Sequence, residues 1–235
     1  MTTLPEIIGA FVSDMLGFIG IPGGSVSQAM IVGYFRRRHE MARDILFEEL
    51  RHANISDAQA ALEDEAIAVI IRYLRAAQEG VARLNLRLLA KAIAGKLRSG
   101  SLVAEEFLRY AEALASLSRD EIIVIGAMYR VWAAHQVLAA TDPAEASSRY
   151  GDPWGQALKE LTEQGIAEEL VIASASRAQR SELIYGQSTT VETISTYEPK
   201  RTTTPFIYRV SPLLIDLGKT VDFDDALKRE ASKRE

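Results

Sequence analysis

From Ile7 to Ile21 the chain is an almost unbroken apolar run, interrupted by Asp14 and followed by a Pro-Gly-Gly break at 22–24. After the break Met30, Tyr34, Met41, Ile45 and Leu46 recur near a 3.6-residue period, which predicts an amphipathic helix opened by Ser25 or Ser27 and running to about His52. Gly9, Gly17, Gly20, Gly23 and Gly24 allow close backbone approach, as tight helix packing or membrane helix association would need. Three readings stand on this pattern: a buried helical hairpin, a lipid-surface anchor, and a membrane insertion. The run is shorter than the roughly 20 apolar residues a spanning helix takes, and it carries Asp14, which favours burial within the protein. The Gly-Gly-Ser before the helix lacks the lysine of a phosphate loop and reads as a capped turn.

Ser56 and Asp57 open a further helical region, one face of which is Leu62, Ala66, Val69, Ile70, Tyr73, Leu74 and Ala77, and Gly80 bends or breaks it. Leu86, Leu89, Ile93 and Leu97 make the next face, up to a stop at Ser99-Gly100-Ser101. Phe107, Leu108, Ala111, Leu114 and Ala115 make another. Residues 1–116 therefore read as an N-terminal helical bundle.

Ser118-Arg119-Asp120-Glu121 is a capping box, followed by a strongly apolar helix from Ile122 to Val137. Asp142-Pro143 and Asp152-Pro153 each place a cap residue before a proline at the first helical position, where the missing N–H does no harm. The helix from Trp154 to Gln164 stops at Gly165. Glu169 to Ala173 then reads as a strand. A serine- and threonine-rich stretch follows from Ser174 to Thr204, with a strand expected at Thr190 to Tyr197 and another at Phe206 to Val210. Ser211-Pro212 starts a short helix through Gly218, and the charged tail from Asp222 is expected to fray.

Helices, then strands joined by a long polar excursion, then a serine-capped helix is the element order of a winged helix. LKELTEQGIAEELV (158–171) and YRVSPLLIDLGKTV (208–221) resemble the third helix, wing and closing helix of bacterial winged-helix proteins. The resemblance lies in pattern, over roughly residues 117–221. The fold class read here is mainly α: a helical domain over 1–116, a winged-helix-like α+β domain over 117–223, and a charged tail over 224–235.

Composition narrows the function classes. With 48% hydrophobic and 25% charged residues in 235, the chain has enough apolar surface to offset the entropy of ordering. The absence of cysteine removes disulfides and thiolate chemistry, and MTTLPE, with Glu6, lacks the basic start of a secretory signal. A cytoplasmic protein is expected, with the inner membrane surface as a second location. The net charge is -5, and residues 151–235 alone carry 11 lysines and arginines against 14 acids. Nucleic-acid affinity rests largely on neutralising phosphates, so DNA contact needs a local patch. Arg177, Arg180, Lys200 and Arg201, with Lys159 and Gln156 on the expected third helix, are the candidates. Arg36, Arg37, Arg38 and Arg43, beside His39, form a second basic cluster that suits an anionic lipid surface.

Glu49 and His52 have the spacing of two metal ligands on one helix face, but a di-iron bundle needs a second such pair and more glutamates; a polar helix end is the reading kept. His39 and His135 have no evident acid or serine partner. No residue is nominated as catalytic, as a metal ligand or as a cofactor contact.

The layout of apolar N-terminal segment, helical middle and winged-helix-like end is similar to that of bacterial abortive-infection alpha-type proteins, which are often prophage-linked. That resemblance implies phage or stress biology and assigns no site residue. Three functions follow from the sequence: a non-enzymatic regulatory or interaction protein that self-associates or holds a protein partner, with the winged-helix-like module or the Trp132 helix as contact surface; a DNA-binding regulator; and a peripheral membrane effector acting through residues 7–35.

Overall fold

The computed structural model describes residues 26–55, 64–100, 102–150, 152–188 and 206–233. The apolar run before Val26, the Ser56-Asp57 start with Leu62, the strand expected at 190–197, and Lys200 and Arg201 lie outside them. Mainly helical architecture with one small sheet is what these residues form. Helices α1 (Val26–His52), α2 (Asp64–Gln78), α3 (Arg83–Ser99) and α4 (Ala104–Ala115) come first. Then follow α5 (Arg119–Thr141), α6 (Pro143–Tyr150), α7 (Pro153–Glu163) and α8 (Glu168–Ala178). A two-stranded antiparallel sheet, β1 (Ile184–Ser188) and β2 (Phe206–Val210), precedes α9 (Pro212–Gly218) and α10 (Phe223–Ala231). The chain divides into two compact units, residues 1–117 with 219–235, and residues 118–218.

In the first unit α3 is the central helix, in contact with α1, α2, α4 and α10. Leu84 to Lys96 are all buried, so the single apolar face read from Leu86, Leu89 and Ile93 was too narrow. The expected face of α2 is in place, with Ala66, Val69, Ile70, Tyr73, Leu74 and Ala77 all buried. Gly80, at φ +91°, ends that helix in a conformation only glycine adopts readily. Gly95 is required for a different reason: a Cβ there would run into the side chain of Thr220, where the C-terminal segment crosses α3.

That crossing overturns the expectation of a fraying tail. Asp222 caps α10, accepting the Asp225 N–H at 2.9 Å, and Phe223, Ala226 and Glu230 are buried. Charge spacing concealed this: FDDALKREA looks solvated in sequence, yet two of its acids, Asp225 and Glu230, face the cations of α3. Arg87, fully buried, donates to Glu49 at 2.5 Å, Glu230 at 2.8 Å and Glu48 at 3.2 Å. Lys91 reaches Asp225 at 2.5 Å and Glu49 at 3.4 Å, while Arg229 and Lys233 close the outer side of the network on Asp225 and Glu48. Burial disfavours a charged guanidinium at Arg87, but its three carboxylate partners outweigh that and hold its pKa above the ordinary value. Shortening Phe223 to alanine removes a buried ring from α10 and is expected to cost about 3 kcal/mol, read as a shift of the urea midpoint.

Glu48 gives the first unit a pH dependence. Burial alone would raise its carboxyl, but hydrogen bonds from Lys233 and Arg87 outweigh this and hold it at about 2, against an ordinary 4.5. A folded value below the unfolded one means that the ionised carboxylate stabilises the fold at neutral pH, and that this contribution is lost as pH falls through the range between the two values. Asp225 is lowered as well; burial opposes ionisation, and Lys91 and Arg229 overcome it. Urea unfolding at about pH 3 should therefore show a loss on the order of 2 kcal/mol relative to pH 6, reduced in Glu48→Gln. A midpoint that does not move over this range would contradict the network's role.

In the second unit α5 is the spine, touching α6, α7, α8, β2 and α9. The Ser118 capping box is formed, the hydroxyl accepting the Glu121 N–H at 3.3 Å and the Glu121 carboxylate accepting the Ser118 N–H at 2.7 Å. Helices begin at Pro143 and Pro153, Gly165 takes φ +87°, and Ser211 accepts the Leu214 N–H to cap α9. Residues 169–173, expected as a strand, are part of α8. The β-branched pair Val171-Ile172 gave the strand signal, but Val171, Ala175 and Ala178 fall at helical spacing and are buried, so packing overrides local propensity. The partner of β2 is Ile184–Ser188, paired from Ile184↔Val210 to Ser188↔Phe206. Tyr208 packs edge-on against Trp154 at 4.7 Å between ring centres.

Candidate functional site

Among the described residues, those expected to meet nucleic acid do not form a patch of free cations. Arg177 and Arg180 both reach Glu121, at 3.5 and 3.4 Å from one carboxylate oxygen, so the buried glutamate of the capping box also neutralises them in part. Their side chains stay 47% and 74% exposed. Lys159 lies on α7 opposite Glu163, at 3.9 Å, with Gln156 half-buried on the same helix. The arginine pair therefore belongs to α8 and the turn after it, while Lys159 and Gln156 belong to α7.

Between Gly165 and the buried stripe of Val171, Ala175 and Ala178, α8 turns an outward face to solvent. Leu170 and Ile172, 42% and 41% exposed, flank it on opposite sides, since positions two apart on a helix do not share a face. Glu169, Ala173 and Ser176 lie between them, with Glu168 in the first turn and Arg177 in the last. Acid at one end, small residues in the middle and base at the other is the charge order of this face.

A second feature of the same unit is a cleft of about 360 Å³ beside the sheet. Met128 and Trp132 of α5 and Tyr208 of β2 supply its apolar wall; Tyr185, Arg209 and Asp152 complete the part that carries chemistry. Trp132, expected on an apolar contact surface, is half-buried here and tilted against Tyr129 at 5.8 Å. No local motif links Asp152, Trp132 and Arg209; the fold alone brings them to one cavity. His135 and Gln136 also line it, with Gln136 Nε2 3.4 Å from His135 Nδ1.

The N-terminal arginine cluster is divided among different tasks. Arg38 donates to the carbonyl of Ala77 at 2.9 Å and to that of Val81, tying α1 to the end of α2. Arg43 pairs with Asp44 at 3.0 Å, and Arg36 and Arg37 are exposed. His39 is buried with both ring nitrogens unpartnered, and burial lowers its pKa, so it is neutral at pH 7. Glu49 is committed to Arg87, whereas His52 is exposed, its Nδ1 2.6 Å from the Glu48 carbonyl, so the two do not converge as ligands. Among the described residues no group of three histidines and acids is placed to hold a metal ion. One described helix, α5, is long and apolar enough to cross a membrane by length and composition; its N-terminal half carries the buried Ile122, Ile125 and Met128.

Compared with family models, curated proteins and solved structures, the chain matches none. Its class is a mainly helical protein of two compact units, one of which carries a two-stranded sheet.

Proposed function

We propose that this chain is a non-enzymatic regulatory protein that works by self-association, with the second unit as a winged-helix-like contact module. The order α5, α6, α7, α8, β1, β2, α9 supports that comparison once the short α6 is set aside as an insertion. Then α8, rather than the α7 expected from the sequence, stands in the position of the helix that enters the DNA groove in winged-helix regulators. A fold does not fix its use, and the use is read from the face of α8.

One observation carries the reading: the outward face of α8 is complementary to itself. An antiparallel pairing of two copies about Ala173 sets Glu169 of one against Arg177 of the other, twice, with Ala173 and Ser176 small enough for close approach and Leu170 and Ile172 burying apolar surface at the flanks. The same face suits DNA poorly, because Glu168 and Glu169 on it repel phosphates.

Sedimentation velocity of the full chain with a labelled DNA duplex at low salt tests the choice. Protein heavier than the monomer, with the duplex moving at its own rate, is expected. Duplex that moves with the protein, and stops doing so when Arg177 and Arg180 are reversed to glutamate, would make the protein a DNA-binding regulator instead.

A further inference from the structure

We propose that the cleft beside the sheet binds a free α-amino acid with an aromatic side chain. The inference is independent of self-association, since no cleft residue belongs to α8. At about 360 Å³ the cavity falls within the roughly 300–1,000 Å³ range of small-ligand pockets, and like them it joins an apolar wall to a few polar groups.

Its two charges define the ligand. Arg209 and Asp152 both line the cleft, yet among the described residues neither has an ion-pair partner, and they do not bridge each other. Asp152 is unusual for a cap residue: Asp142 and Asp222 accept the N–H groups of Glu145 and Asp225, each at 2.9 Å, whereas the Asp152 side chain accepts none from α7. Its carboxylate lies against Gly155 in the first turn of α7 without accepting a hydrogen bond from that turn, and so keeps its acceptor capacity. A base and an acid that share a cavity without satisfying each other are matched by a molecule carrying both charges: a carboxylate for the Arg209 fork and an ammonium for Asp152.

The wall selects what joins those charges. The rings of Trp132 and Tyr208 line it, and Tyr185, opposite Arg209 in the strand register, adds a third. Flat apolar side chains stack on such surfaces, and an ammonium passing over Trp132 gains a cation–π contact. An aromatic amino acid meets all three requirements; an aromatic acid or an aromatic amine alone meets two.

The test is calorimetric titration of the full chain with L-phenylalanine, L-tyrosine and L-tryptophan, beside 3-phenylpropionate, which lacks the ammonium, and phenethylamine, which lacks the carboxylate. At least one amino acid should bind, and the analogue missing either charge should bind about tenfold more weakly or worse. Arg209→Gln should abolish the preference over phenethylamine, and Asp152→Asn the preference over 3-phenylpropionate. Both side chains belong to exposed residues, so both variants should keep the wild-type circular dichroism spectrum. The ligand comparison on wild type stands without them. No binding of any of the three amino acids at millimolar concentration, or equal binding of amino acid and one-charge analogues, would overturn the assignment.

Discussion

Replacing Arg87 with methionine is expected to destabilise the first unit by about 3–5 kcal/mol, because it leaves buried carboxylates without their shared cation. Arg87 is fully buried and joins two α1 carboxylates to one on α10. Methionine has similar bulk, so the loss measures charge left unpaired more than volume left empty. The companion variant separates the two: with Glu49→Gln and Glu230→Gln added, most of the buried negative charge goes, and a substantial part of the lost stability should return. Such recovery is the non-additivity expected of residues in one network. Urea unfolding followed by circular dichroism reads both variants. An Arg87→Met protein as stable as wild type would show that α10 is held by its apolar contacts alone.

The second large effect is expected at α8. Reversing Glu169 to arginine brings like charges together at both symmetric positions of the proposed contact and should weaken self-association about tenfold or more. Ile172→Glu places a charge in the apolar flank of the same surface and should do likewise. Both positions are exposed, so neither change touches the core. Loss of a first-turn acid costs the helix only about 0.5 kcal/mol, which leaves the fold intact while the contact is lost.

Much of the helical frame was legible in the chain. Capping signals placed the starts of α5, α6, α7 and α9 because they are local chemistry: a serine hydroxyl, a glutamate three residues on, a proline whose missing N–H does no harm. Phe206–Val210 was legible for the same reason, as a short β-branched and aromatic run after a polar stretch. What stayed hidden depends on partners distant in sequence. The FDDALKREA segment looks solvated until α3 supplies Arg87 and Lys91, more than a hundred residues away. Val171-Ile172 looks like a strand until α5 and α7 are packed against α8. Of the described candidates for nucleic acid, Arg177 and Arg180 meet on Glu121 while Lys159 lies on α7; of the candidates for a lipid surface, Arg38 is engaged with backbone carbonyls. The cleft was least legible, since Trp132, Asp152 and Arg209 come from three elements and none carries a motif.

Self-association through α8 is the central claim, and sedimentation velocity of full-length wild type beside Glu169→Arg, at matched concentrations, tests it most directly. Wild type should sediment above the monomer and shift down on dilution or added salt, while the variant remains monomeric at concentrations where wild type does not. Wild type that sediments as a monomer throughout, or a variant that assembles as wild type does, would contradict it.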